Sequence, residues 1–163
     1  MLIRPLDPVS DRTLVDGFFA GSADCIRLER GEDPGPAVTD EFFNDTPPGC
    51  DARANLRVGL LAGEQLMALA DLAFGYPTPK DAYIGLMMVD PAARGSGAGV
   101  LMLRHLEQTA RDRGFTGLYL GVLEANPRGR AFWEREGFTL ALANRPITLG
   151  GITQMAHRLG KAI

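Results

Sequence analysis

A glycine-dense turn is the part of this sequence whose residue types and spacing are best suited to chemistry. Residues 84–89 have the composition of a buried strand, and residues 101–113 have the periodicity of an amphipathic helix. Arg94, Gly95, Gly97 and Gly99 lie between them. The first N–H groups of a helix lack intrahelical partners and carry partial positive charge, and glycine lets an anion approach them closely. The turn therefore predicts a site for a phosphorylated ligand, to which Arg94 adds a permanent cation.

Two common phosphate-binding loops fit this turn poorly. The nucleoside-triphosphate loop requires G-x-x-x-x-G-K-[ST], and no lysine lies within the turn. The dinucleotide fingerprint G-x-G-x-x-G matches at Gly95 and Gly97, but its third glycine position is occupied by Val100. Pro91 and two alanines also separate the strand from the glycines, whereas that fingerprint follows its strand directly.

Two segments resemble one family more closely. The pattern R-x-x-G-x-G that starts at Arg94 resembles the pyrophosphate signature of the GNAT superfamily of acetyl-CoA-dependent N-acetyltransferases. Asn126 and the later run FWEREGF are similar to that family's segment N-x(5)-[FL]-Y-E-x-x-G-F. These motifs lie within residues 83–138, and the rest of the chain resembles the family only in the order of its elements.

The resemblance implies one GNAT-like domain over residues 1–163 with an α+β or α/β three-layer fold. We expect a mixed central sheet of about six to seven strands, helices on both faces, and a splayed central parallel strand pair. Hydrophobic patterning predicts strands at 2–4, 57–62, 65–74, 82–89, 118–123, 138–143 and 152–159, and helices at 12–19, 39–43, 101–113 and 127–136. A helix over 65–73 stays open, because leucine, methionine and alanine favour helices.

The same resemblance implies acetyl-CoA as cosubstrate. Amides of the turn would hold its pyrophosphate, and its pantetheine arm would lie between the splayed strands against backbone groups of Met88 and Val89. Asn126 would touch that arm or cap the following helix, and Trp133 would form a wall of the acetyl pocket. The implied cofactor-binding residues are Met88, Val89, Arg94, Gly95, Ser96, Gly97, Ala98, Gly99, Val100, Asn126 and Trp133.

The catalytic positions depart from the family pattern. Acetyl transfer needs a neutral amine, and a lysine-like amine with a pKa of about 10.4 is almost fully protonated at pH 7. Tyr83 stands where many members have a glutamate base, so we predict that it orients the amine or relays a proton through water. The alternative for Tyr83 is a packed aromatic ring. Trp133 replaces the usual tyrosine acid and cannot transfer a proton, which leaves water or Tyr119 for that step.

These observations predict direct acetyl transfer to an amine of a small-molecule acceptor, with a peptide acceptor also possible. The alternative is a CoA-binding regulatory module that has lost catalysis. Acidic residues of the 31–51 segment could attract a cationic amine or simply form a solvated loop; they are Asp33, Asp40, Glu41, Asp45 and Asp51. A homodimer is a further expectation, because many relatives pair.

Composition excludes several classes of function. The net charge of −3 argues against nucleic-acid binding, which needs a cationic surface. No apolar run reaches about 18 residues and the N-terminus lacks signal-peptide features, so we expect no membrane partner and a cytoplasmic location. Cys25, Cys50, His105 and His157 are too dispersed in the sequence to predict a metal site.

Overall fold

A seven-stranded mixed sheet organises the computed structural model, which describes residues 1–163. Its order is β1-β2-β3-β4-β5-β7-β6, and only β4 and β5 are parallel. The strands are β1 (Leu2–Pro5), β2 (Leu56–Ala62), β3 (Gln65–Phe74), β4 (Asp81–Val89), β5 (Gly117–Leu123), β6 (Thr139–Leu149) and β7 (Ile152–Ala162). The expected three-layer architecture and parallel central pair are confirmed.

Helices cover both faces of the sheet and bury two apolar clusters. They are α1 (Arg12–Gly21), α2 (Ala23–Arg30), α3 (Pro36–Asn44), α4 (Ala98–Asp112) and α5 (Pro127–Arg135). Met102, Leu103 and Trp133 of α4 and α5 belong to one cluster, and Phe19 and Ile26 of α1 and α2 belong to the other. None of these helices combines the length and apolar character that crossing a membrane requires.

Residues 65–74 form a strand, so the helical alternative is excluded. Strand β3 lies between β2 and β4, and nearly all of its side chains are buried because helices cover both faces of the sheet. Tertiary packing therefore outweighs the helix propensity of its leucines and alanines. Helix α3 starts at Pro36, so Thr39 is a buried residue within the helix and not its N-terminal cap.

Two elements exceed the sequence-based expectation. Helix α2 was not predicted; it is strongly polar and ends at Gly31, which adopts a left-handed φ of 70°. Strand β6 continues to Leu149 although Asn144 and Pro146 interrupt its pattern. Two register shifts absorb this interruption, and Nδ1 of His157 accepts a hydrogen bond from the Asn144 N–H at 3.1 Å.

Strands β4 and β5 separate halfway along their length. They pair only between Asp81–Ile84 and Gly117–Leu120. A register shift between β3 and β4 follows at once, because Leu72 pairs with Ile84 whereas Asp71 pairs with Leu86. Gly85 is the extra residue, and a Cβ there would lie 2.6 Å from Oδ2 of Asp71. We call the space between residues 85–89 and 121–123 the β4–β5 gap.

The close contact between Tyr119 and Gly160 yields a stability prediction. A Cβ at Gly160 would lie 2.4 Å from Cε1 of Tyr119, so Gly160→Ala should lower the free energy of unfolding by about 1–3 kcal/mol. The control Gly17→Ala adds a methyl group at an exposed position of helix α1 where nothing lies within 4 Å, and it should raise the free energy of unfolding by about 0.5–1 kcal/mol. Urea denaturation measures both, and the opposite order would contradict the packing at β5 and β7.

Candidate active site

The N-terminus of α4 presents a row of unpaired backbone donors. Its first helical hydrogen bond runs from the Leu101 N–H to the Gly97 carbonyl at 3.0 Å. The amides without a hydrogen-bond partner are those of Gly95, Gly97, Ala98, Gly99 and Val100. Gly95 and Gly97 have φ values of 79° and 91°, a region that favours glycine and turns these amides outward without side chains in the way. The turn is thus built to receive an anion.

A cavity of about 550 Å³, here called the amide cavity, opens beside these donors. It lies between α2, β4 and α5. Of the predicted cofactor residues, it is lined by Val89, Arg94, Gly95, Gly97, Gly99, Val100, Asn126 and Trp133. Residues that were not predicted also line it, and these are Asp24, Cys25, Leu28, Glu29, Met87, Ala93, Arg128, Gly129, Phe132 and Arg135. Met88, Ser96 and Ala98 are not among the lining residues.

Met88 points away from the amide cavity. Its side chain is buried in the apolar cluster of α1 and α3 on the other face of the sheet. The Asp90 N–H donates to the Met67 carbonyl of β3 at 2.9 Å, so by the alternation of an antiparallel ladder Met88 also directs its backbone groups to β3. Met87 and Val89 direct theirs into the β4–β5 gap. Met87 therefore takes the position that the sequence analysis gave to Met88.

Ser96 and Ala98 contribute at most backbone to the site. The Ser96 N–H donates a hydrogen bond to the Ala93 carbonyl at 3.2 Å, and the Ser96 hydroxyl donates to the same carbonyl at 2.6 Å. Ala98 is buried against the sheet, and only its amide is free. Among the residues of the turn, Ser96 is thus already satisfied within the protein.

Arg94 is tied to helix α2. Its Nη1 donates to Oδ2 of Asp24 at 2.6 Å, and its Nη2 donates to Oδ1 of Asp24 at 3.1 Å and to Sγ of Cys25 at 3.2 Å. The hydrogen bond from Arg94 lowers the pKa of Asp24 to about 2. This guanidinium therefore joins the turn to α2 at the edge of the amide cavity.

Asn126 and Trp133 form the opposite wall. Oδ1 of Asn126 accepts the Gly129 N–H at 2.9 Å, so the capping role is confirmed, and the residue also lines the cavity. The Trp133 ring packs edge-on against Phe132 and Phe138, with centroids 4.9 and 5.3 Å apart. Trp133 is thereby a rigid wall whose indole N–H can donate a hydrogen bond but is too weak an acid to transfer its proton.

Two further pockets lie on the other side of the β4–β5 gap. The first, about 200 Å³, is called the arginine pocket, and the second, about 370 Å³, is called the side pocket. Both are lined by Glu29, Tyr83, Gly85, Leu86, Arg145, Ile147 and Leu149. Glu29 also lines the amide cavity, so this residue borders all three spaces.

Glu29 is a carboxyl group without a side-chain partner near the end of α2. Its neighbour Arg30 is paired with Glu41 instead. Burial raises the pKa of Glu29 to about 7, an effect that the charge of Arg30 partly offsets. The helix end is fixed by Nε2 of Gln154, which donates to the carbonyls of Leu28 and Glu29 at 2.8 and 3.1 Å. A group with this pKa can accept a proton near neutral pH.

Tyr83 lines both pockets but is a poor base. Its ring stands edge-on to Tyr76 with centroids 5.1 Å apart. Burial raises the pKa of the Tyr83 hydroxyl, although Arg158 and Arg145 act in the opposite direction. Tyr119, the alternative proton carrier, pairs in register with Tyr83 but lines a separate depression with Lys161 and none of the three spaces at the β4–β5 gap.

Most carboxylates of the predicted acidic mouth are paired with nearby arginines. Asp33 pairs with Arg27, and Asp40 pairs with Arg12, each at 2.5 Å. Asp51 pairs with Arg53. Of the five acidic residues, only Glu41 and Asp45 line the side pocket, and Glu41 is neutralised by Arg30. Ion pairs with local arginines therefore offset the charge of four of these five carboxylates, and Asp45 is the one that forms no ion pair.

The comparisons identify the family. The model of the acetyltransferase (GNAT) family matches residues 23–138, so the chain belongs to this family. A curated acetyltransferase of Agrobacterium fabrum is 35% identical over 77 residues, which cover 47% of this chain and 55% of that protein. The chain thus matches little more than half the length of this relative.

Solved structures share the fold over the whole chain. An acetyltransferase from Thermus thermophilus is 21% identical with a TM-score of 0.74, and the match covers 100% of this chain and 98% of that one. The ribosomal-protein-S18-alanine N-acetyltransferase of Escherichia coli is 19% identical with a TM-score of 0.68, covering 99% and 93%. At these identities the likeness concerns the fold.

The three charged residues of the arginine pocket, Glu29, Arg145 and Arg158, were not predicted from the sequence. Glu29 lies in the helix that was not predicted, and Arg145 lies in the extension of β6 beyond Ala143. Arg158 lies between buried residues in β7. A cation at a half-buried strand position is unusual, and this was the one signal in the sequence that could have indicated a site residue here.

The buried carboxyl of Asp71 gives a prediction about stability and pH. Burial raises the pKa of Asp71 to about 6, with Arg57 and a hydrogen bond from Asn55 partly opposing it. The folded state then binds more protons than the unfolded state, so the associated stability is present below about pH 4 and is lost as pH rises to about 6. Asp71→Asn should reduce this loss by about 1–3 kcal/mol in urea denaturation. Glu64→Gln, at the exposed β2–β3 turn, should keep the wild-type dependence of the free energy of unfolding on pH. The same pH dependence in Asp71→Asn as in the wild type would contradict the raised pKa of Asp71.

Proposed function

We propose that this protein is an acetyl-CoA-dependent N-acetyltransferase that acts by direct transfer to an amine of a small-molecule acceptor. The observation that carries the proposal is the row of five unpaired amides at the start of α4, which opens onto the β4–β5 gap. The diphosphate of CoA matches these donors in charge and hydrogen bonding. The backbone groups of Met87 and the Val89 N–H, which face the gap, suit the amides of the pantetheine arm, while the Val89 carbonyl accepts a long hydrogen bond from Nε of Arg94 at 3.4 Å.

In this proposal, a carboxyl group of α2 activates the acceptor amine, and backbone groups of β4 stabilise the reacting carbonyl oxygen. Glu29 accepts a proton from the acceptor ammonium, which makes the amine nitrogen nucleophilic. This nitrogen attacks the acetyl carbon, the N–C bond forms, and the C–S bond breaks with its electron pair on sulfur. The nitrogen loses its second proton to water. Backbone N–H groups of Met87 and Val89 are the donors available to the carbonyl oxygen as charge develops.

An enzyme explains the arrangement better than a CoA-binding regulatory module. Such a module needs the amide cavity but has no use for the arginine pocket and the side pocket, or for a carboxyl group beside them whose pKa burial raises to about 7. The departing thiolate needs no acid, since its conjugate acid has a pKa of about 8.5, and this is compatible with Trp133 at the usual tyrosine position. Both substrates are water-soluble metabolites, so we place the reaction in the cytoplasm.

The role of Glu29 can be tested by its pH profile. Glu29→Gln should lower kcat about 10²–10⁴-fold at pH 8, because the amine loses its base. Wild-type kcat should rise with pH and level off above about 7, the pKa to which burial raises Glu29, and the variant should lack this inflection. Thiol release from acetyl-CoA is the measurement. Glu64→Gln is the matched control, and equal losses in both variants would rule out a base at Glu29.

The turn before α4 can be tested by binding. Gly97→Ala places a side chain at a φ of 91°, which should cost about 1–2 kcal/mol and displace the donor amides. Gly63→Ala is the control, because Gly63 has a φ of 61° and equally open surroundings in the β2–β3 turn. Calorimetric titration with acetyl-CoA should show about tenfold weaker binding for Gly97→Ala alone. No binding by the wild-type protein at millimolar acetyl-CoA would end the proposal.

A further inference from the structure

We propose that the acceptor is a free amino acid, whose carboxylate is bound by Arg145 and Arg158 and whose ammonium group lies beside Glu29. This inference rests on the proposed function and names the substrate class of the same site. Its basis is the set of charges in the arginine pocket, which the protein itself leaves unpaired.

Arg145 and Arg158 differ from most arginines of the chain. Ten arginines form ion pairs with carboxylates, and they are Arg4, Arg12, Arg27, Arg30, Arg53, Arg94, Arg104, Arg111, Arg130 and Arg135. Arg145 and Arg158 form none, although both are half-buried and line the same pocket. Arg57, Arg113 and Arg128 also form no ion pair, but Arg145 and Arg158 are the two unpaired arginines that line one pocket together.

Arg158 is held in place with part of its guanidinium unsatisfied. Its Nη2 donates to the Tyr76 hydroxyl at 2.5 Å, and its Cζ lies 5.0 Å from the centre of that ring. Its Nε is buried and has no hydrogen-bond partner. A buried donor on a cation without a partner is costly, and an anionic ligand in the pocket would offset that cost. The planar fork of arginine suits a carboxylate in particular.

The opposite charge is present in the same small space. Glu29 lines the arginine pocket and forms no ion pair with Arg145 or Arg158. The scaffold keeps the groups apart, since Glu29 is fixed by α2 and the arginines by β6 and β7. A ligand with an ammonium and a carboxylate on neighbouring atoms satisfies both signs at once within about 200 Å³. A peptide N-terminus carries an amide at that position and would leave the arginines unpaired.

The side pocket gives room for the side chain of the acceptor. It continues from the arginine pocket with a volume of about 370 Å³, and its apolar lining includes Phe19, Ile26, Val38 and Phe42. We therefore expect amino acids with a sizeable apolar side chain to be better acceptors than glycine.

The test compares each free amino acid with its α-amide and with the amine that lacks the carboxylate. Thiol release from acetyl-CoA gives kcat/KM for a panel that includes leucine, leucinamide and 3-methylbutylamine. The best amino acid should exceed its amide and its decarboxylated amine by about tenfold or more. Dipeptides with the same first residue should behave like the amide. Equal or better turnover of the amides, amines or dipeptides would overturn the inference.

Variants assign the preference to the two arginines. Arg158→Gln and Arg145→Gln should each lower kcat/KM for the best amino acid by about tenfold or more and change that of its amide little. Arg53→Gln is the control, because the Arg53 side chain is 91% exposed and lies outside the site. A parallel loss for acid and amide would point to a structural role and contradict the inference.

Calorimetry with acetyl-CoA separates this inference from the proposed function. Binding of acetyl-CoA and turnover of amines without a preference for the carboxylate would overturn the acceptor class and leave the acetyltransferase in place. Absence of acetyl-CoA binding would remove both.

Discussion

The parting of β4 from β5 is the constraint on which the site depends. Four residue pairs hold the two strands in parallel, and the β3–β4 register shift at Gly85 then turns β4 away. The Asp71 carboxyl occupies the place of a side chain at Gly85, so the shift and the buried carboxyl require each other. Because β5 no longer pairs with it, the far half of β4 has a free backbone edge, and cavities open on both sides of it.

Helix α2 connects the two halves of the site. Asp24, near its start, holds Arg94 beside the donor amides, and Glu29, near its end, reaches the arginine pocket. The β6–β7 hairpin meets the end of the same helix, through Gln154 and through the Gly151 N–H, which donates to the Arg30 carbonyl. The wall between the two halves is therefore one short helix fixed at both ends. The position of α2 therefore determines the distance between the turn before α4 and the carboxyl group of Glu29.

The part of the molecule that the sequence could predict is the part governed by local rules. Strand, turn and helix around Arg94 follow from hydrophobic period and glycine placement, and the uncapped amides follow from helix geometry. Asn126 before Pro127 likewise predicted a cap, which the structure contains.

The side of the gap proposed for the acceptor could not be predicted in this way. Helix α2 has little apolar content, and β6 crosses Asn144 and Pro146 only because β7 and His157 support it. Ion pairing between Asp33 and Arg27, or Asp40 and Arg12, depends on tertiary proximity that spacing does not reveal.

The long β6–β7 hairpin has a consequence for how such a site diversifies. Arg145, Ile147 and Leu149 alternate along β6 and so project from one side of one strand at the sheet edge. No residue of β6 lines the amide cavity. Under the proposed function, substitutions along this single edge strand change the acceptor pocket and leave the amides that follow the central strand β4 in place. Acceptor selectivity and acetyl-CoA binding would then be separable traits, each open to change without the other.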